Sequence, residues 1–426
     1  MKEYDLILVG TGAGGSILAK ELIEQNKKIL ILEKGKLSKG VGTFKFLLNS
    51  YNFSKILKLP TQTIEGTPVY QGILAGGSAT LSMMNAKVTL KDELLALGID
   101  ISKEINEIGE EYCVTPTEER LYSNATKEII KSAKELGLHM EPMYKFLNND
   151  KCTKCGLCVQ GCAYQAKYSA DRLFRKKAIR DKVIFNAEVT KVLSKDGITT
   201  GVEYIESGKK VTALAKKVIL SSGAISTPQI LMNSGIDAGK NLSLDIYINV
   251  YGYSNKFNQL DEPPMPVVSF DNLDNGFLIS PFISSSYMVR LLEGVSVARF
   301  PKKGLVGLMV KIKDDSNGEV RKEGLISKPI TESDREKLKN GTDIAKDILR
   351  GIGVKDRNIS LSKIQGAHPI GTAALGEVID NRFETKIKNL FVCDASILPT
   401  APGLPPTWTI MSLAKKLSKQ LGERDE

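Results

Sequence analysis

The first 33 residues constrain the fold most strongly, because they combine two apolar runs with a glycine-rich turn and a helix-like segment. The first run, residues 4–10, ends in glycine, as a buried parallel strand often does. A segment with apolar residues at helical spacing follows and ends at Asn26, and the second apolar run ends at Glu33. This order predicts a β-α-β unit, whose two strands lie parallel in one sheet.

The turn between the first strand and the helix, residues 10–15, matches the pattern G-x-G-x-x-G, and Glu33 closes the next strand. Gly10 allows a tight turn, Gly12 lets a pyrophosphate approach the backbone, and Gly15 lets the helix pack closely on the sheet. The helix N-terminus would face the pyrophosphate charge, and Glu33 would accept a hydrogen bond from a ribose hydroxyl. The sequence therefore predicts a dinucleotide site, but this turn alone does not separate NAD from FAD.

Segments typical of a nucleotide-binding fold occur at both ends of the chain and in its middle. The middle carries alternating strands around a turn at Asp196-Gly197, and then a buried strand that leads into Gly223. The C-terminal part carries one more buried strand and an amphipathic helix. Residues 246–330 are dominated by strand-like pieces. The nucleotide-binding domain is therefore predicted to be discontinuous, with inserted segments forming a second domain.

Further motifs occur at residues 72–79 and 223–236, and again at residues 368–372, 393–396 and 406–410. Together these segments resemble the glucose–methanol–choline (GMC) oxidoreductase family, which is FAD-dependent. The first two resemble the two family signatures, and the last three resemble its active-site and flavin-binding end. The resemblance implies an α/β fold in which a Rossmann-like FAD-binding domain carries an inserted α+β substrate domain, as in p-hydroxybenzoate hydroxylase. It divides the chain into an FAD-binding domain of residues 1–90, 181–245 and 361–426, a helical segment of residues 91–180 with a cysteine loop at 151–163, and a substrate or cap domain of residues 246–360.

The resemblance also implies roles for single residues around FAD. Residues 76–78 would line the pyrophosphate and the isoalloxazine, and Val189 would meet the adenine through its backbone. Residues 394–395 would hold the ribityl and pyrophosphate region, and residues 406–407 would lie by the pyrimidine edge of the ring. The complete predicted set is Gly10, Gly12, Ala13, Gly14, Gly15, Glu33, Lys34, Gly76, Gly77, Ser78, Ser82, Val189, Gly223, Asp394, Ala395, Pro406 and Thr407.

His368 is the candidate catalytic residue, and it is one of only two histidines in the chain. An imidazole titrates near neutrality, so it can take a hydroxyl proton while hydride leaves the same carbon for the flavin. The other histidine, His139, lacks such a setting and is predicted to lie on the surface or in packing. Where the family usually has a second histidine or asparagine this chain has Pro405, and Ser82 stands where the first signature commonly ends in asparagine or histidine. The second contact to the substrate must then come from elsewhere, or the substrate is not a simple alcohol.

The chain is also shorter than the family leads us to expect, and the loss falls within residues 246–360. A trimmed substrate domain indicates an open site, or one that a partner subunit completes. Only composition suggests residues that line the substrate site: Tyr253, Tyr287 and Phe300.

Four of the six cysteines, Cys152, Cys155, Cys158 and Cys162, have the spacing C-x2-C-x2-C-x3-C of bacterial ferredoxins. This spacing favours an iron–sulfur cluster, most simply [4Fe–4S]. Zinc is the competing metal, although its usual sites combine two separated C-x2-C pairs, and free thiols or disulfides are the remaining alternatives. The fourth ligand is either Cys162 or the remote Cys113.

The net charge and the N-terminal sequence indicate which partners and which cellular location to expect. The net charge of +10 is spread along the chain except for one cluster, which is a solvated helix face or a docking patch for an acidic carrier or an anionic membrane. That cluster comprises Arg172, Arg175, Lys176, Lys177 and Arg180. No nucleic-acid motif, signal peptide or apolar run of about 18 residues is evident. We therefore expect a cytoplasmic protein, peripheral to a membrane at most, without a transmembrane segment and without nucleic acid as a partner.

Three functions remain open from the sequence. The first is an FAD-dependent alcohol dehydrogenase whose cluster passes electrons to a carrier such as ferredoxin or a quinone. The second is the reverse reaction, a reductase of an unsaturated or carbonyl substrate, which the missing second catalytic residue motivates. The third is a flavoprotein whose loop holds structural zinc and acts in assembly.

Overall fold

The computed structural model describes residues 3–43, 45–46, 61–283 and 304–423, and two seven-stranded sheets dominate this part of the chain. The strands are β1 (Glu3–Val9), β2 (Ile29–Glu33), β3 (Thr61–Gln62), β4 (Pro68–Val69), β5 (Thr115–Pro116), β6 (Glu141–Pro142), β7 (Tyr144–Lys145), β8 (Val183–Phe185), β9 (Ala187–Lys195), β10 (Ile198–Glu206), β11 (Lys209–Leu220), β12 (Ile246–Tyr253), β13 (Val267–Val268), β14 (Phe277–Pro281), β15 (Leu305–Ile312), β16 (Glu319–Val320), β17 (Ile326–Ser327), β18 (Ile359–Leu361), β19 (Gln365–Gly366) and β20 (Leu390–Val392). The α-helices are α1 (Ala13–Glu24), α2 (Gly77–Leu81), α3 (Lys91–Ala96), α4 (Ser102–Glu111), α5 (Asn124–Glu135), α6 (Lys177–Arg180), α7 (Gly223–Asn233), α8 (Glu332–Gly351) and α9 (Thr407–Glu423).

The first sheet has the strand order β8-β2-β1-β11-β10-β9, with β20 beside β11. Strands β8, β2, β1, β11 and β20 run parallel, whereas β9 and β10 form an antiparallel extension. The parallel strands end in register, since Leu220 pairs with both Val9 and Val392. Because parallel strands share their carboxyl edge, the residues that follow each strand are brought together there.

The second sheet has the order β14-β15-β12-β19-β4-β3, with β18 beside β12. Its central pair, β12 and β15, is antiparallel and places Tyr247 opposite Lys311. Every residue of β15 is buried, and helix α8 packs on this strand. The division predicted from the sequence assigned residues 61–69 and 365–366 to the FAD-binding domain, but these residues pair within the second sheet. The domain boundaries themselves remain a prediction.

Apolar burial explains why the two sheets form. One core cluster joins β1, β2 and β11 to helices α1 and α9, and a second joins β12 and β15 to α5 and α8.

The predicted turn at Asp196-Gly197 connects β9 to β10, and both residues have positive φ, as a two-residue hairpin of this kind requires. Within the predicted helical segment of residues 91–180, helix α5 starts at Asn124, where the side chain of Ser123 caps it by accepting from the Thr126 amide.

Candidate functional site

A large cleft lies at the carboxyl edge of the first sheet and extends to the second. Its cavity volume is about 300 Å³. The residues that line it include most of the predicted set, namely Gly10, Gly12, Ala13, Gly14, Glu33, Lys34, Gly77, Ser78, Ser82, Val189, Gly223, Asp394, Ala395, Pro406 and Thr407, and also His368. Segments from both ends and the middle of the sequence therefore meet in one place.

Gly15 and Gly76 are not among the residues that line the cleft, and the backbone around each of them leaves no room for a side chain. A Cβ on Gly15 would lie 2.3 Å from the carbonyl oxygen of Gly10, so helix α1 can approach the turn only without a side chain there. Gly76 has φ of +86°, and a Cβ would lie 2.4 Å from the amide nitrogen of Asp171. The backbone N–H of Gly76 donates to Thr11 Oγ1 over 2.9 Å, which ties this loop to the glycine turn.

Gly12 differs from its neighbours because it faces empty space. Apart from its two chain neighbours, none of the described residues has an atom within 4 Å of the position of a Cβ at Gly12. This residue is the N-cap of α1, and no described side chain caps the helix. The same holds for α2, whose N-cap is Gly76. Uncapped helix starts at a cleft leave backbone N–H groups available for an anionic group such as a pyrophosphate.

Glu33 lies at the end of β2 and is buried, with 6% of its surface exposed. Its Oε2 accepts from the amide and the hydroxyl of Thr11 over 3.0 and 2.5 Å, and its Oε1 accepts from the Gly35 amide over 2.6 Å. Burial raises the pKa of this carboxyl, and these hydrogen bonds oppose the rise. A carboxylate has about four acceptor sites, so one remains for a ligand hydroxyl.

Asp394 joins two of the chain segments that build the cleft. Its Oδ2 accepts from the Gly223 amide over 2.8 Å and from the Thr227 hydroxyl over 2.6 Å, and its Oδ1 accepts from the Ser396 amide over 2.8 Å. The start of α7 is thereby held against the loop after β20. Asp394 thus shapes the cleft as well as lining it.

His368 stands in the wall of the cleft with a third of its side chain exposed (31%), and its Nδ1 faces the protein interior. Nδ1 lies 2.9 Å from Asp245 Oδ2 and 2.9 Å from Lys311 Nζ. Lys311 Nζ is also 2.8 Å from Asp245 Oδ2, so the three groups form a compact triangle. Since Nδ1 is engaged on the inner side, Nε2 is the nitrogen that the ring presents to the cleft.

The charges around His368 act in opposite directions. Burial and then the positive charge of Lys311 lower the pKa of His368, whereas Asp245 opposes this effect. Burial alone would raise the pKa of Asp245, but Lys311 and His368 lower it overall. His368 is therefore held uncharged near neutral pH, which is the form that can accept a proton.

The sequence did not single out Asp245 or Lys311. The available signal was a lone lysine in the apolar run of β15 and a lone aspartate just before β12. A buried charge of this kind needs a partner, but the sequence alone does not say which. Tyr70 and Gln71 also line the cleft without having been predicted.

The structure also locates the second histidine, Pro405 and one of the three residues suggested to line the substrate site. His139 is exposed, as expected, and Pro405 is buried. Tyr253 packs in a small apolar cluster with Tyr251 and does not line the cleft. The remaining two substrate-site candidates, Tyr287 and Phe300, lie outside the described residues.

The cysteine loop forms a second, much smaller pocket, lined by Cys152, Cys155, Cys158 and Cys162. Two glycines shape its backbone. Gly156 has φ of +68°, and a Cβ there would lie 2.7 Å from the carbonyl oxygen of Leu260; Gly161 has φ of +102° and lies against Val41. Cys113 is exposed and is not among the lining residues, and Cys393 is buried in the first core cluster.

Within the described residues no three cysteine, histidine or acidic side chains are arranged closely enough to hold a metal ion. Burial raises the pKa of Cys158 to about 11, and the charges of two buried lysines, Lys167 and Lys145, oppose this rise. Lys167 Nζ donates to the carbonyl oxygens of Thr80 and Ser82 over 2.9 and 2.6 Å. The pocket therefore gathers the four thiols without showing a formed metal site.

A parallel sheet whose carboxyl edge carries a glycine turn, a buried carboxylate and uncapped helix starts defines a Rossmann-type dinucleotide-binding protein. The chain belongs to the GMC oxidoreductase family, since two sequence models of that family match residues 74–247 and 329–414. Members of this family are flavoproteins that bind FAD, and the empty space at Gly12 together with the free acceptor site of Glu33 fits that cofactor. The predicted α/β fold is thereby confirmed.

Known proteins similar to the chain cover almost its whole length. An uncharacterised protein of Methanocaldococcus jannaschii is 29% identical over 98% of this chain and 100% of its own. A long-chain-alcohol oxidase of Arabidopsis thaliana is 24% identical over 98% of this chain and 68% of its own. Among solved structures, pyridoxine 4-oxidase from Mesorbium loti superposes with a TM-score of 0.76 at 17% identity, covering 99% of both chains. No described helix is long and apolar enough to cross a membrane.

Proposed function

We propose that the protein oxidises an alcohol, with FAD as the hydride acceptor in the cleft and His368 as the base. The observation that carries the proposal is the setting of His368, whose ring borders the cleft while buried Asp245 fixes its Nδ1. The names of relatives, a long-chain-alcohol oxidase and a choline dehydrogenase, support an alcohol as the substrate class.

The bound FAD would supply an acceptor for two electrons and a hydride. The chain's own residues would do the rest. His368 Nε2 would take the hydroxyl proton, and an alcohol that gives up this proton together with a hydride would leave as a carbonyl compound. Gly12 and the start of α1 would hold the pyrophosphate, and Glu33 would orient the adenosine ribose. The other predicted residues that line the cleft are proposed to complete this cofactor site.

The base is tested by exchanging each of the two histidines. We expect His368→Asn to retain FAD but to lose about 10²- to 10⁴-fold in the rate of anaerobic flavin reduction by an alcohol, the usual contribution of a general base. His139→Asn serves as the control, because His139 is exposed and should leave the rate unchanged. Equal rates for the His368 variant and the wild type would remove His368 from the mechanism.

We further propose that Cys152, Cys155, Cys158 and Cys162 hold a [4Fe–4S] cluster, which would give single electrons an exit to a carrier such as ferredoxin or a quinone. The ferredoxin spacing and the common pocket of the four thiols support this assignment. The charges of the buried Lys145 and Lys167 oppose, without cancelling, the rise that burial causes in the pKa of Cys158. Lys167 also reaches the backbone of Ser82, which lines the cleft.

The cluster is tested by metal analysis of anaerobically purified protein. We expect about four irons per chain, as a [4Fe–4S] cluster requires, and their loss in Cys158→Ser with FAD retained. Cys113→Ser is the matched control and should keep both. Zinc in place of iron would show a structural loop that acts in assembly, and metal-free protein would refute any metal role.

The direction of the reaction and the electron acceptor can be tested on the same anaerobically purified protein. If no alcohol bleaches the flavin, but an enone or an aldehyde reoxidises the chemically reduced enzyme, the protein is a reductase. The buried Pro405, which offers no side-chain hydrogen bond, favours this second function. For a dehydrogenase, we expect reoxidation by a one-electron acceptor to be faster than reoxidation by oxygen, and the reverse order would identify an oxidase.

A further inference from the structure

The inner nitrogen of His368 faces two partners with opposite demands. Lys311 Nζ and Asp245 Oδ2 both lie 2.9 Å from His368 Nδ1. An ammonium can only donate a hydrogen bond, and a carboxylate can only accept one. A neutral imidazole nitrogen either donates or accepts, so it can satisfy only one of the two partners at a time.

The two arrangements have opposite consequences at the cleft. If Nδ1 accepts from Lys311, then Nε2 carries the proton and cannot act as a base. If Nδ1 instead donates to Asp245, then the lone pair of Nε2 points toward the cleft. The choice between the partners therefore decides whether His368 is able to take a proton.

The surroundings of Asp245 favour the second arrangement. Asp245 is fully buried, and its Oδ1 accepts from the Gly403 amide over 3.0 Å. A buried carboxylate has no water to solvate it, so its stability depends on the number of donors that reach it. With the proton on Nδ1, Asp245 has three donors, from Gly403, Lys311 and His368, whereas the other arrangement leaves it two.

We propose that Asp245 and Lys311 are positioning residues, which hold His368 uncharged with its proton on Nδ1 and the lone pair of Nε2 toward the cleft. This inference rests on the proposed role of His368 as the base. Lys311 does not line the cleft, so it acts on the substrate only through His368. Asp245 also stabilises the imidazolium that forms when His368 accepts the substrate proton.

The two positioning residues carry opposite charges, so they should affect the pKa of His368 in opposite directions. The ammonium of Lys311 opposes a second proton on His368, and the carboxylate of Asp245 favours it. Removal of one charge should therefore shift the pKa of His368 in one direction, and removal of the other should shift it in the opposite direction. The charged and titratable groups that face this site are Asp245 before β12, Lys311 in β15, Asp314 and Lys328 behind Lys311, and the phenols of Tyr70 and Tyr247 around Gln365.

The test is NMR of the FAD-bound protein labelled with ¹⁵N-histidine, because the chain has only two histidines. The ring nitrogen shifts report the tautomer, and His139 is an exposed internal control. We expect Nδ1 of His368 to carry the proton in the wild type. We expect the pKa of His368 to rise by about one unit or more in Lys311→Met and to fall in Asp245→Asn, the direction that each lost charge dictates. His139 should titrate identically in all three proteins.

Kinetics supply a second measurement. In Lys311→Met, the acid limb of the pH dependence of flavin reduction should move to higher pH. In Lys311→Arg, which keeps the charge, the limb should return toward its wild-type position. If Lys311→Met does not fold, Lys311→Gln keeps a hydrogen-bond donor for Asp245 without the charge, and should shift the pKa of His368 upward as well.

Several outcomes would overturn the inference: a proton on Nε2 of His368 in the resting protein, no change in its pKa in either variant, or shifts in the same direction in both. The proposed function fails separately. If no alcohol reduces the wild-type flavin, His368 is not a base for alcohols, while the NMR result still decides whether Asp245 and Lys311 set its tautomer and charge.

Discussion

The substitution Gly12→Ala should weaken the binding of FAD without affecting folding, because the added side chain would enter the cleft and not the protein interior. Gly12 has φ of −65° and ψ of −158°, an extended conformation that alanine tolerates. Apart from the two chain neighbours of Gly12, no described residue has an atom within 4 Å of the added Cβ. We therefore expect the free energy of unfolding of the apoprotein to stay within about 0.5 kcal/mol of the wild type, as for a change on an open surface.

The cost should appear when FAD binds. The added methyl group lies at the uncapped start of α1, where the pyrophosphate is proposed to bind, so at least one N–H to phosphate hydrogen bond should be lost. A hydrogen bond to a charged group contributes about 1.5–3 kcal/mol. At 1.4 kcal/mol per tenfold change, this loss weakens the affinity for FAD by about 10- to 150-fold.

The assay is titration of apoprotein with FAD, followed by flavin fluorescence, beside denaturant unfolding of the same apoprotein. Gly15→Ala is the matched contrast within the same turn, because its Cβ would lie 2.3 Å from the Gly10 carbonyl oxygen. That variant should lose stability already without FAD. An unchanged Kd for Gly12→Ala, or a loss of apoprotein stability equal to that of Gly15→Ala, would refute the argument that Gly12 faces the cofactor.

Two further predictions concern buried charges in the described part of the chain. Lys328 is fully buried and pairs with Asp314 over 3.2 Å, so Lys328→Met should lower the free energy of unfolding by about 3–5 kcal/mol, the usual cost of breaking a buried pair; urea unfolding checks this against Lys339→Met, whose side chain is 76% exposed. Glu262 is buried at the start of α5, where its oxygens accept from the Ser123 amide and the Thr126 hydroxyl, and burial raises its pKa to about 7. Because the folded state then binds more protons than the unfolded state, stability should fall as pH rises from about 4.5 to 7. Glu262→Gln should remove that part of the pH dependence, and an unchanged slope of stability against pH would contradict it.

The sequence by itself determined the dinucleotide-binding half of this protein. A β-α-β unit is a local feature, so the strand, the turn at Gly10 to Gly15 and the helix can be read from neighbouring residues. Glu33 could be placed for the same reason, since it ends the next strand. The later segments that are predicted to bind the flavin were recognised by family resemblance, which depends on local motifs as well.

Only the tertiary structure decided what surrounds the catalytic candidate. Asp245, Lys311 and His368 are separated by more than 50 residues from one another, and they meet because β12 pairs with β15 and the segment before His368 pairs with β12. Hydrophobic periodicity shows that a strand is buried, but it does not specify the partner strand or the register. The pairing of a buried lysine with a buried aspartate depends on both, so the triangle at His368 emerged only when the sheet was assembled.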